Sequence, residues 1–211
     1  MSFSQELDRV LPHDLPHRTR LISLASRHLE LVEETNRIMN LTRIVSAGEA
    51  AVKHVYDSIV PWRHFQNAKS VLDVGTGAGF PGIPLAIVLP DVQFVLTESV
   101  QKKARFVEAS VEILGLENVK VQAVRAEDLL PSRRFDCITA RAVAPLAKAI
   151  PFYVPAVNRG STILLYKGPD VEAEIAEASA QLKKRRIGVR IVERYTLPDG
   201  MGERTIVELT R

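Results

Sequence analysis

Residues 71–82, Val-Leu-Asp-Val-Gly-Thr-Gly-Ala-Gly-Phe-Pro-Gly, carry the densest chemical signal in the chain. An apolar run reaches Asp73 and passes straight into Gly75, Gly77 and Gly79, with Gly82 three further on. Alternating glycines allow positive φ and bring bare backbone close to a ligand, where a side chain would collide. A strand that enters such a loop and leaves it as a helix turns amide N–H groups toward a crevice suited to a nucleotide-like cofactor. The spacing is Gly-x-Gly-x-Gly, whereas dinucleotide folds use Gly-x-Gly-x-x-Gly, although Gly82 permits a loose dinucleotide count. Asp73 stands where S-adenosylmethionine (SAM) enzymes of this fold usually carry an acid, and Pro81 and Pro84 delay the helix that follows. An ordinary glycine-rich junction is the competing reading, weakened by four glycines packed behind one clean strand.

In an open α/β sheet ligands bind beyond the carboxyl ends of the strands, so each strand end is a candidate. The second strand ends at Thr97-Glu98, and Glu98 follows Gly75 by 23 residues, near where an acid binds a ribose hydroxyl pair. After the third, Ala126 and Glu127 stand where adenine would be met, or where acids simply open a helix. The fourth delivers Arg141, which is costly to hold at the end of an apolar strand without an acidic, phosphate or cofactor partner. The fifth ends in Tyr166-Lys167-Gly168, with Lys167 read either as an RNA contact or as a surface cap.

Absent motifs narrow the chemistry. Amino-group methylation calls for a polar-Pro-Pro-aromatic loop after the fourth strand, and Ala140-Arg141-Ala142-Val143 is not one. Carbon-5 methylation of pyrimidines needs a cysteine nucleophile, yet Cys137 falls mid-strand and reads as an inert buried thiol. His54 and Asp57 share a helix face without a third ligand nearby in sequence, so no metal site is expected.

The elements that must position these residues follow from periodicity. Helical spacing runs from Pro16 to about Met39, breaks at Asn40-Leu41-Thr42, and resumes from about Gly48 to Trp62. Residues 1–67 therefore read as an N-terminal helical region. Residues 68–211 read as a second unit in which strands alternate with helices, the mark of a mostly parallel sheet covered on both faces. Strands are expected at Ser70–Val74, Val92–Thr97, Val119–Val124, Phe135–Ala140 and Ser161–Tyr166, with a helix over Lys102–Leu114. A helix near Val171–Arg186 precedes a hairpin of Ile187–Tyr195 and Arg204–Thr210. The expected fold is thus α/β and Rossmann-like, a seven-stranded sheet with an antiparallel terminal strand at its edge.

At 211 residues, 46% hydrophobic and 25% charged, the chain can bury a large core, and one cysteine excludes a disulfide framework. No apolar run approaches the roughly 18 residues of a membrane span. The acidic N-terminus lacks the basic character of a targeting peptide, which makes the cytoplasm the expected compartment. A net charge of +3 does not mark a dedicated nucleic-acid tail. The basic run Lys183–Arg186 suits the end of a helix opened by Glu172 and Glu174.

Taken together, Asp73–Pro84, Arg141–Pro145 and Lys167-Gly168, with Asn36, Met39–Thr42 and His54–Ile59, closely resemble the bacterial 16S rRNA guanine-N7 methyltransferases, the RsmG or glucose-inhibited division protein B family. That resemblance covers residues 36–168 most closely. It implies methyl transfer from SAM to N7 of a guanosine in the small ribosomal subunit. By motif, Gly75, Gly77, Gly79, Phe80, Glu98, Ala126, Glu127 and Arg141 would bind the cofactor. Arg141 and Lys167 would orient the substrate, with Asn40 and His54 as RNA-side or structural residues. No catalytic acid, base or nucleophile is nominated, because N7 of neutral guanosine already presents a lone pair. The implied partner is 16S rRNA or the small-subunit particle, and a monomer is expected. A SAM enzyme of another RNA, a protein or a small molecule is the first alternative, and a nucleotide-dependent oxidoreductase or binding module the second.

Overall fold

The computed structural model describes residues 1–44, 46–142 and 144–211. Val143, within the Arg141–Pro145 segment, lies outside them. The chain opens with a helix that periodicity did not announce, α1 (Phe3–Val10), started by a capping box in which Ser2 and Gln5 satisfy one another's backbone N–H groups. Next comes α2 (Arg18–Asn36), shorter than its expected span, burying Leu21, Ala25, Leu29 and Val32 along one stripe. It stops where the Asn36 side chain accepts N–H bonds from Leu41 and Thr42 and turns the backbone away.

The second helical stretch is composite. It runs as α3 (Ala47–Ala50), a π-helical turn (Ala51–Tyr56), α4 (Asp57–Ile59) and a 3-10 turn (Val60–His64). Within the π turn, two carbonyls accept from side chains. Arg141 Nη1 donates to the Lys53 carbonyl at 2.8 Å and the Ser58 hydroxyl to that of His54. Inserted π turns of this kind are frequent at functional sites.

Seven strands follow: β1 (Ser70–Val74), β2 (Gln93–Thr97), β3 (Val119–Gln122), β4 (Cys137–Arg141), β5 (Thr162–Lys167), β6 (Gly188–Thr196) and β7 (Glu203–Thr210). Between them lie α5 (Gly82–Val88), α6 (Gln101–Ile113), α7 (Ala126–Leu129), α8 (Leu146–Asn158) and α9 (Val171–Arg185). The sheet order is β3-β2-β1-β4-β5-β7-β6. β1 to β5 are parallel, and β7 is antiparallel to both its neighbours. The antiparallel strand is thus the C-terminal one, as expected, but it lies one place in from the edge, which β6 occupies. A hairpin can enter either way round; β7, with Ile206, Val207 and Leu209 fully buried, takes the inner place, and the half-exposed β6 faces solvent.

The central strands read as continuous apolar runs because helices cover both sheet faces. One core joins α1, α2 and the composite helix to α5, β1 and β2 through residues such as Leu7, Leu29, Val55, Phe80 and Ile83. A second, across the sheet, packs Ile138, Ile150, Tyr153, Ile163 and Leu182.

Candidate active site

The strand order reverses between β1 and β4, and the candidate residues gather at the carboxyl ends of the strands on both sides of that point. Gly75 and Gly77 have φ of +67° and +64°, and a Cβ built on either meets nothing within 4 Å. The Cα of each is therefore open on the side a Cβ would take, in a conformation that side chains resist. Gly82 serves packing, since a Cβ there would lie 2.2 Å from Leu96 Cδ2 and 2.7 Å from Asp73 Oδ2.

Asp73 sits beneath the loop and is fully buried. Its Oδ2 accepts from the Thr76 hydroxyl at 2.6 Å and from the Gly82 N–H at 2.9 Å. Oδ1 has no partner among the described residues. Desolvation pushes this carboxyl up to about 6, against the two hydrogen bonds that favour its anion. A buried acid with one free oxygen behind a bare peptide loop fits the cationic end of SAM, which carries an ammonium group.

The four strand-end expectations separate into two places. Gly75, Thr97, Ser99, Ala126 and Glu127 line an open crevice of about 240 Å³ beyond β1, β2 and β3. Glu98 lies between two of these lining residues: its carboxylate accepts from the Gly77 N–H at 3.2 Å and the Val100 N–H at 2.8 Å, bracing the loop and the start of α6. Each oxygen keeps a lone pair for a ribose hydroxyl. Gly79 and Phe80 turn the other way: a Cβ on Gly79 would meet Ile83 and His28, and Phe80 enters the core under α2 and the composite helix. The Phe80 ring is buried, with the His54 ring stacked at 4.4 Å and the His28 ring at 4.7 Å. An exposed stacking platform for adenine or base is therefore not what this ring forms.

Arg141 and Lys167 line the second crevice, about 470 Å³, beyond β4 and β5. The partner that Arg141 needs is an acid, Asp57, whose Oδ2 accepts from Nη1 at 3.2 Å. Lys167 Nζ donates to Glu174 Oε2 at 2.8 Å and to the Ala144 carbonyl at 2.9 Å. Since Glu174 also accepts from the Leu146 N–H, this lysine fastens the loop after β4 to α9. Asn40, at the end of the α2 turn, is exposed.

Periodicity and motif left out three residues. His28, on α2, is wholly buried and places Nε2 2.9 Å from the Ala78 carbonyl of the glycine loop, so its neutral form donates there. Tyr195 and Arg204 reach Asp57 from the hairpin, at 2.9 and 3.4 Å from Oδ1. Only the quoted His54–Ile59 motif pointed toward this cluster, because its other members lie some 140 positions along the chain. Burial pushes His28 down to about 4 and, helped by Arg141, His54 down to about 3, so both rings are neutral at pH 7.

Known proteins sharpen the assignment. The family described as rRNA small subunit methyltransferase G matches residues 21–200. A ribosomal RNA small subunit methyltransferase G from Solibacter usitatus is 58% identical over 209 residues, 99% of this chain and 100% of its own. Another, from Carboxydothermus hydrogenoformans, is 38% identical over 192 residues, 88% of this chain and 81% of its own. Among solved structures, an O-methyltransferase from Bacillus cereus in complex with SAH aligns with a TM-score of 0.61 at 19% identity, covering 98% of this chain and 96% of that one. That likeness concerns the fold, a SAM-methyltransferase sheet. With the family matched over residues 21–200 and one relative alike from end to end, this chain belongs to the rRNA small subunit methyltransferase G family.

Proposed function

We propose that this chain transfers a methyl group from SAM to N7 of a guanosine in 16S rRNA of the small ribosomal subunit. The observation that carries the reading is a pair of crevices at the strand ends, one lined by Gly75 of a glycine loop that covers a half-partnered buried acid, the other lined by cations. In the first, Gly75 and Gly77 offer backbone, Asp73 a buried carboxylate, Glu98 its lone pairs, and Ala126 and Glu127 the far wall. Gly79 and Phe80 hold the loop from behind.

Bound there, SAM supplies an electrophilic methyl on its sulfonium. What remains for the protein is placement. Guanine N7 carries an in-plane lone pair, so no proton has to leave before attack, and orientation of well-placed groups can offset roughly 7–11 kcal/mol of barrier. A covalent route through cysteine finds no support: Cys137 is buried in β4, and desolvation drives its thiol far up from its usual range. Arg141 orients the target nucleotide from the second crevice. Lys167 acts through the loop it fastens. Residues 1–67 serve as a helical cover and residues 68–211 as the transfer unit, working as a monomer in the cytoplasm.

The test is direct. Labelled SAM is incubated with the protein and small ribosomal subunits lacking the modification, and nucleosides are mapped by mass spectrometry. Label on guanine N7 is expected. Label on another atom, or on no RNA, overturns the proposal.

A further inference from the structure

Asp57 is a buried carboxylate, its side chain 3% exposed, shared by two guanidinium groups. Arg141 approaches Oδ2 at 3.2 Å from the end of β4, and Arg204 Nε lies 3.4 Å from Oδ1, from the start of β7. The Tyr195 hydroxyl donates to the same Oδ1 at 2.9 Å. Among the described residues neither arginine has a second carboxylate within ion-pair distance. One negative charge thus faces two positive ones. The other cations on the crevice wall are balanced: Lys53 pairs with Glu49 at 2.6 Å and Lys167 with Glu174 at 2.8 Å. A surplus positive charge remains in an open crevice of about 470 Å³, whose rim includes Gly168, where a Cβ would meet nothing within 4 Å.

We propose that this crevice is an anion subsite that takes one phosphodiester of the RNA chain, bound by Arg141 and Arg204, with Asp57 as the positioning residue that aims both. Planar guanidinium forks match phosphate oxygens, and a carboxylate that holds one edge of each leaves other N–H groups for the ligand. The composite helix supplies Asp57, so the N-terminal cover helps build the subsite. The inference deepens the proposed RNA reading and rests on it.

Fluorescence anisotropy of the full chain with a short single-stranded RNA containing guanosine, over a potassium chloride series, tests it. Arg204→Gln should weaken binding about tenfold and reduce the slope of log affinity against log salt by about 0.7, the value for one lost contact to a single strand. Arg204→Lys should restore most of the slope, and stabilisation by SAM should persist in both. Asp57→Asn gives the sign that separates aiming from bulk charge: removing a negative charge would by itself tighten RNA binding, whereas loss of aim weakens it. An unchanged slope in Arg204→Gln, or tighter binding by Asp57→Asn, overturns the subsite. Wild-type N7 methylation alongside an unchanged slope would sink this inference alone. A slope loss without methylation of any RNA would sink the proposed reaction and leave the anion subsite standing.

Discussion

Asp73 is a buried acid whose ionisation works against the fold. Its carboxyl is raised from 3.8 to about 6, because burial outweighs the bonds from Thr76 and Gly82. An acid whose native pKa lies above its unfolded value stabilises the fold below the unfolded value and loses that contribution as pH rises through the native one. At pH 7 the ionised group therefore costs on the order of 2–3 kcal/mol. Asp73→Asn keeps an oxygen for both donors and has no charge to bury. It should raise the midpoint of urea unfolding at pH 7, with the gain vanishing below about pH 4. The same variant should lose most of its thermal stabilisation by SAM. A variant both less stable and fully SAM-responsive would contradict the role assigned to Oδ1.

At the scale of elements, the junction of β1, loop and α5 was legible because local chemistry dictates it: only glycine accepts φ of +67° and +64° at Gly75 and Gly77 without strain. Gly82→Ala tests the packing part of that junction. Its Cβ would strike the Asp73 carboxylate and Leu96, so a loss of about 1–3 kcal/mol in chemical denaturation is expected. The composite helix was less legible. Apolar spacing reads as one continuous helix over residues 48–62, and nothing in it announces a π turn at Ala51–Tyr56. Arg141 and Ser58 take its carbonyls, and the first of these partners comes from β4, 88 positions away. The α1 helix is illegible for a simpler reason: eight residues carry too few turns for a periodic signal.

For the whole molecule, the neutral histidines tie the helical cover to the sheet. His28 and His54 lie on different helical elements against one ring, Phe80, of the glycine loop. Between about pH 4 and 6.5 the unfolded chain binds a proton on each imidazole that the native state refuses. Asp73 acts oppositely, holding a native proton between 3.8 and about 6. Two imidazoles outweigh one carboxyl, so the unfolded state carries the excess and stability should fall as pH drops from 6.5 toward 4. His28 alone contributes about 3 kcal/mol of this, being fully buried. Urea titrations across that range check it, and a His28→Asn variant should flatten the dependence. A midpoint that climbs on acidification would show that these rings are not neutral in the native state.

The sequence by itself determined the strand-helix alternation, the glycine loop with its acid, and through its motifs the family, since each depends on residues that are neighbours along the chain. Which candidates face a crevice and which are packed behind one was decided only by tertiary structure. Phe80 lies five residues after Gly75 yet faces the opposite side of the loop, because α2 and the composite helix offer it an apolar bed. Lys167 was aimed in the expected direction, but α9 brought Glu174 to it. Asp57, Tyr195 and Arg204 form a cluster only after the hairpin folds beside β5. Burial and charge pairing depend on distances in space that the order of residues does not record.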